Sequence, residues 1–464
     1  MKKRAQLKLL TDRLRRAEKE RSKFRLGMEM EHLVLKRNSL EAVTYYEDGG
    51  IEDILAQMVQ LSGSNWKPVH EENHVIGLEG ERGYVTLEPG GQLEFSTEPG
   101  GDLSRIDRAY RSFLSDILPS LGEDKILAAS GFQPSSAIEE IPLLPKERYA
   151  HMYQYFDGKG LAHYMMKGSA ALHVTIDFAD ERDYGRKMKA ANLLVPIIYS
   201  RLDNAPFFQG QVRRGNSVRR KIWTDCTGVQ TGLIPKALAD GFSYEDYCQF
   251  LLRSPLILFK RKGEIRSGEG RSMAEVLTEL KRGELKEEDV EYLFSMVFPE
   301  VRTRGYLEIR SCDSLPYPYN IGYLAFWKGL LYDEENLRFL NQLGDRTFAQ
   351  AEGFELAPHD HSALEKVLKQ ASGVEESEEL FRQLLERSFQ GLGARERTYL
   401  RPLERLTRGG RPKDLALDRL AAEGLESLVD HFSPRLSKAG SKQNDRSEKQ
   451  SLSLCSCCCS CSCS

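Results

Sequence analysis

The chain has 464 residues, enough for about three average domains or for one large catalytic domain with extensions. With 40% hydrophobic residues it can bury a sizeable core, and a formal net charge of −3 argues against a nucleic-acid partner. No uninterrupted apolar run reaches the ~18 residues of a membrane-spanning helix, so no membrane partner is expected.

Residues 1–25 carry eleven Lys/Arg against three Asp/Glu. Leu7, Leu10 and Leu14 recur at helical spacing and predict a basic helix over 1–23, packed on the body or offered to an acidic partner. The segment lacks the apolar stretch of a secretory signal, and Asp12, Glu18 and Glu20 count against an organellar leader. From Phe24 to about Leu330, alternating stretches at 25–35, 84–96, 170–178 and 304–310 predict strands. Helical patterns at 103–121, 183–202, 244–254 and 272–282 lie between them, with Pro-Gly-Gly turns at 89–91 and 99–101. The irregular order predicts an α+β domain over 24–332. A helical part follows over 333–432, and a polar tail expected to be disordered occupies 433–464. Only Cys226, Cys248 and Cys312 occur before residue 455, which points to a cytoplasmic protein without a disulfide framework.

The strands place unusual residues on one face, because successive side chains point to opposite sides. Glu29 and Glu31 share a face of 25–35, and Gln92, Glu94 and Ser96 share one of 84–96. His173, Thr175 and Asp177 form the polar face of 170–178, and Arg304, Tyr306, Glu308 and Arg310 alternate along 304–310. An antiparallel sheet with one wet face is the plain structural reading. Glu, His and Arg are nevertheless not the usual Thr, Lys and Ser of a solvated face. Neighbouring carboxylates such as Glu29 and Glu31 repel unless a cation joins them, and Mg²⁺ with its preference for carboxylate and phosphate oxygens is the economical one. That points to nucleotide chemistry without a P-loop, since no GxxxxGK[ST] is present and the glycines of 263–270 match no fingerprint.

Seven segments then run in a recognisable order: LGMEME (26–31), TLEPGGQLEFST (86–97), MM…HVTIDF (165–178), IWTD (222–225), RKGE (261–264), FPEVRTRGYLEIRSCD (298–313) and FWKGLLYDEENL (326–337). Together with GLGARERTYLRPLERLTRGGRPKD (391–414) they resemble glutamate–cysteine ligase of the plant and proteobacterial type, over roughly residues 24–430. The resemblance implies a glutamine-synthetase-like carboxylate–amine ligase fold, a curved antiparallel sheet flanked by helices. It implies ATP as co-substrate, Mg²⁺ as cofactor, and glutamate and cysteine as substrates, joined through a γ-glutamyl phosphate. By the same resemblance Glu29, Glu31, Glu94, Glu308 and His173 are metal ligands, with Glu88 a possible addition. Glu308 and Arg310 become catalytic, and Arg302, Arg304 and Ser96 face ATP. Gln92, Arg219, Trp223 and Gln230 face the amino-acid substrates. For several of these a plainer role stays open: core packing for Trp223 and His173, an ion pair for Arg310, a solvated surface for Arg302 and Arg304.

Two departures from the family pattern bear on the substrates. Gln230 stands where IWTDxxxxRTG has an arginine, so a charge-assisted bond to a carboxylate is lost. Gly168 and Ala170 stand where relatives often carry arginine and cysteine. A ligase of the same fold with another donor or acceptor is therefore the alternative. The tail, with Cys455, Cys457, Cys458, Cys459, Cys461 and Cys463, is foreign to the pattern. Its thiols could bind a soft metal such as Cu(I) or Zn²⁺, serve as an acceptor peptide, or have no selected role; a thiol or metal buffer on an inactive ligase scaffold is the non-enzymatic reading.

Overall fold

Nine strands form one sheet in which every neighbouring pair is antiparallel. In chain order they are β1 (Leu26–Lys36), β2 (Lys67–Glu71), β3 (His74–Gly80), β4 (Gly83–Leu87), β5 (Leu93–Thr97), β6 (Lys125–Ala128), β7 (Ala171–Ile176), β8 (Val301–Thr303) and β9 (Leu307–Asp313). The spatial order is β8-β9-β7-β1-β5-β4-β3-β2, and β6 pairs with the far end of β1. The computed structural model describes residues 1–434 except 64, 216, 227–230, 262, 350–355 and the side chain of Arg282. Gln230 and the cysteine tail lie outside the described residues. No helix among the described residues is long and apolar enough to cross a membrane.

The apolar face of the sheet is what holds it together. Met28 and Met30 of β1, Leu172, Val174 and Ile176 of β7, and Leu307 and Ile309 of β9 are buried. Each contributes roughly 1.5–3 kcal/mol of transfer free energy. Helix Tyr319–Leu331 packs on β1 and β7, and Asn320 reaches the sulfurs of Met28 and Met30. Helix Glu181–Arg201 packs on β9 and is capped by Asp180, whose side chain accepts the N–H of Asp183. With one face committed to the core, register is forced, because a one-residue slip would turn the acids into the apolar core. Glu29 thus lies opposite His173 on one side and Ser96 on the other, Glu31 lies opposite Glu94, and Glu308 lies between Thr175 and Arg302.

Three sequence expectations need correction. The stretch 84–96 is a hairpin, β4 and β5, because Pro89 has no N–H to donate and Gly91 adopts φ +85°. The turn is closed by Glu88 N–H to Gln92 O (2.9 Å) and Gly91 N–H to Glu88 O (2.8 Å). The stretch 304–310 is shifted: Arg304–Tyr306 form the β8–β9 turn and the strand runs on to Asp313. A bulge then puts Arg310 and Ser311 together opposite His173. The N-terminal helix spans Lys3–Arg15 rather than 1–23, with a short 3-10 turn at Arg21–Lys23. There the chain is drawn onto the body by Lys19 N–H to Phe178 O (3.1 Å) and the Lys19–Asp177 ion pair (2.7 Å). Asp177 therefore lies beyond β7 and also accepts the N–H of Arg25 (2.8 Å), outside the strand face it was expected to share with His173 and Thr175.

Candidate active site

The polar face of β1, β5, β7 and β9 floors a cavity of about 490 Å³. Glu29, Glu31, Glu88, Gln92, Glu94, Ser96, His173, Arg219, Trp223, Arg302, Arg304 and Arg310 all line it. Sequence segments separated by more than 200 residues thus meet where the strand alternation placed them. Ligand atoms of Glu29, His173 and Glu308 lie within 4.8 Å of one another, and so do those of Glu31, Glu94 and His173. His173 joins the two groups. Its Nδ1 is 3.4 Å from Glu29 Oε2 and 3.6 Å from Glu308 Oε1, while its buried Nε2 has no partner.

The acids fall into two classes. Glu29, Glu31 and Glu94 are each pushed up to about 8, first by burial and then by nearby acids: Glu308 for Glu29, Glu88 and Glu94 for Glu31, and Glu29 and Glu88 for Glu94. Their partners are few: Glu31 accepts the N–H of Ala171 (2.7 Å), and Glu94 accepts Thr86 Oγ1 (2.8 Å) and Ser96 Oγ (3.2 Å). Glu308 goes the other way. Burial works to raise it, but Arg302 and Arg310 outweigh burial and hold it well below the carboxylate range. Arg302 grips it with Nε at 2.6 Å and Nη2 at 2.9 Å, and Arg310 adds Nη1 at 2.9 Å. Burial and the positive charge of Arg310 keep His173 well below its ordinary value, hence a neutral imidazole able to ligate a metal.

A divalent cation fits these residues. Three repelling carboxyls and an unpartnered imidazole nitrogen converge on one space, which is the donor chemistry of a hard cation with oxygen ligands. The cavity is lined by cations as well. Arg219 and Arg304 have no acid within ion-pair distance among the described residues, and the Nε of each is buried without a partner. Arg219 donates Nη1 to the carbonyl of Arg310 (2.8 Å), and both guanidiniums lie over the ring of Trp223, 5.8 and 5.9 Å from it. Helix Val218–Asp225, begun by the Ser217 cap on Arg220 N–H (3.2 Å), positions Arg219 and Trp223. Gln92 lines the cavity with its amide already engaged: Oε1 accepts Gly90 N–H (2.9 Å), and Nε2 donates to Met166 O (3.1 Å) and Ser169 O (2.9 Å).

The model of glutamate-cysteine ligase family 2 matches residues 25–431. The chain belongs to this family. It is 33% identical over 332 residues to glutamate–cysteine ligase B, chloroplastic, of Oryza sativa subsp. japonica, spanning 70% of this chain and 66% of that protein. To glutamate–cysteine ligase, chloroplastic, of Arabidopsis thaliana it is 33% identical over 341 residues, 72% of this chain and 64% of the relative. The matches thus span slightly under two thirds of these relatives' own length. A solved glutamate–cysteine ligase from Francisella tularensis in complex with AMP is similar with a TM-score of 0.45 and 12% identity, over 88% of this chain and 87% of that one.

In this member of the ligase family the cavity has a wall that the sequence reading missed. Arg148, Tyr149 and Met152 come from helix Glu147–Phe156, Met165 and Met166 from helix Ala162–Gly168, and Glu288, Glu291 and Tyr292 from helix Glu287–Phe294. Arg148 lies over Tyr292 at 5.2 Å, and its Nε too is buried and unpartnered. Short amphipathic helices carry no face alternation of acids, so nothing in these segments set Arg148 apart from a surface arginine.

Proposed function

We propose that the protein is an ATP- and Mg²⁺-dependent ligase that joins the γ-carboxylate of glutamate to the α-amine of cysteine, the step that opens glutathione biosynthesis. The observation that carries this reading is the gathering of Glu29, Glu31, Glu94 and His173 in a cavity also lined by Arg219 and Arg304, which have no acid within ion-pair distance among the described residues. Family membership supplies the reaction class. In that reaction a γ-carboxylate oxygen displaces ADP from the γ-phosphorus of ATP. The amine of cysteine then attacks the acyl carbon, inorganic phosphate leaves, and the amine gives up a proton.

Each group has a task in this scheme. Glu29, Glu31, Glu94 and His173, with Glu88 at the rim, would hold Mg²⁺, which supplies charge neutralisation for the triphosphate when bound. Arg302, Arg304 and Ser96 take phosphate oxygens. Glu308 acts chiefly as the shared anchor of Arg302 and Arg310, and holds two guanidiniums that line the cavity. Arg310 meets charge that builds on the transferring phosphoryl group. Arg219 and Trp223, with Gln230 beyond them in sequence, bind the amino-acid substrates, and Gln92 secures the turn that carries Glu88. Met152, Met166 and Phe298 wall the cavity with apolar surface that keeps water from an acyl phosphate.

The test is ADP release from ATP and Mg²⁺ with glutamate and a panel of amines under reducing conditions. Glutamate- and cysteine-dependent release is expected. No amino-acid-dependent release, or a Glu29→Gln variant as active as the wild type, would overturn the reading. A different donor or acceptor is the second reading, and Gly168 favours it. A Cβ there would lie 2.6 Å from Phe132 Cε2 and 2.7 Å from Ile138 Cδ1, so the arginine that relatives often carry cannot be accommodated without movement. In that case another pair in the same panel turns over faster than glutamate with cysteine. Cytoplasmic placement rests on the three free, buried cysteines Cys226, Cys248 and Cys312, and cell fractionation tests it.

A further inference from the structure

A second cavity, of about 590 Å³, lies between helices Ser377–Gly391 and Arg397–Arg408 and shares no lining residue with the carboxylate-floored one. Its residues come from a plain helical pattern. Leu400, Leu403 and Thr407 bury one stripe of the second helix, which turns Arg401, Arg405 and Arg408 outward at spacings of four and three. Five arginines (201, 382, 401, 405 and 408) face three glutamates around the opening.

The charges are not all paired. Arg408 bonds Glu404, and Arg382 bonds Glu379 with Nη2 at 2.6 Å. Arg401 and Arg405 have no acid within ion-pair distance among the described residues. Arg201, the last residue of helix Glu181–Arg201, is only 8% exposed. One Nη donates to Thr407 O at 3.2 Å and lies 3.3 Å from Glu378 Oε2, but its Nε is buried with no partner. A buried guanidinium keeps its charge and loses hydration without full recompense, which favours an anion in the cavity it lines. Beside these donors, Phe381, Leu385, Phe389 and Leu400 supply an apolar wall.

We infer that this cavity binds a small organic anion, with its carboxylate, phosphate or sulfonate head on Arg201, Arg401 and Arg405 and an apolar body against Phe381 and Phe389. The volume is that of a small-molecule site. Planar guanidinium forks match oxyanion geometry in pairs, and the aromatic wall sets an amphipathic anion above an inorganic one. The site is independent of the ligase reading, since none of its residues touches the catalytic cavity.

The probe is 1-anilinonaphthalene-8-sulfonate, which combines an oxyanion head with an aromatic body, titrated by fluorescence into the full-length protein with inorganic phosphate as competitor. Saturable one-to-one binding is expected, with phosphate competing weakly. In an R401A/R405A double variant, whose melting temperature should match the wild type because both residues are exposed, the Kd rises at least about tenfold, the worth of one charge-assisted bond. An R304A variant, altered only in the catalytic cavity, binds as the wild type does. Unchanged affinity in R401A/R405A, loss of binding in R304A, or no saturable binding at all would each overturn the inference.

Discussion

One sheet face carries two acid environments that differ in everything but residue type. On β1 and β5, Glu29, Glu31 and Glu94 sit among one another with few donors, and each is pushed up to about 8. On β9, Glu308 receives three guanidinium N–H bonds and is held well below the carboxylate range. The difference teaches that a carboxylate's role follows from who donates to it. The first group has few donors and repelling neighbours, a setting that would suit a cation; the second has its cations built in, and spends its lone pairs on orienting them.

The largest effects should come from breaking this contrast. Glu29→Gln keeps size and removes a repelling charge, so stability should hold within ~1 kcal/mol or rise, while ADP release falls at least ~100-fold. Glu308→Ala should do something the first variant does not. It strands two buried arginines, so denaturant titration should show a stability loss of ~3–5 kcal/mol alongside lost turnover. Equal stability of the two variants would erase the distinction.

Smaller effects sharpen it. Mg²⁺ at ~100 times its Kd should stabilise the wild type by ~2.7 kcal/mol in thermal melts, and a Glu31→Gln, Glu94→Gln double variant should lose most of that gain. Arg304→Ala removes a guanidinium that has no acid to strand, so KM for ATP should rise ~tenfold with little change in melting temperature. The last test is pH, without added metal. Glu31 titrates near 8 in the folded protein against about 4.5 ordinarily, so the folded state binds this proton more tightly than the unfolded chain. Its stabilising contribution is complete below about 4.5 and is lost as pH rises through about 8. Glu31→Gln keeps an acceptor for the Ala171 N–H and cannot ionise. The melting-temperature advantage of this variant over the wild type should therefore widen from pH 5 to 8 and level off above. A flat difference would mean that Glu31 is not held in a charge-poor setting.

Much of the site was legible because strand alternation is a local rule. Glu29, Glu31, Glu94 and His173 could be assigned to one face from their own segments, and the tertiary register brought those faces together. Arg310 was legible only as a strand residue, since the bulge that seats it opposite His173 depends on pairing with β7. Arg304 was placed on a strand that begins three residues later, because the tight turn at Gly305 is closed by β8, a partner no local pattern announces. Arg148, from a short helix, carried no signal at all.

By itself the sequence determined the face on which Glu29, Glu31 and Glu94 stand, the helical character of residues beyond 333, and the family, since these follow from side-chain periodicity and from motif order. Tertiary structure alone decided which acids are raised by burial and neighbouring acids and which is held down by arginines. A carboxylate's affinity for protons or metal is set by burial and by donors within a few ångströms, and those donors, Arg302 and Arg310 for Glu308 but only His173 at 3.4 Å for Glu29, arrive only when strands distant in sequence pair.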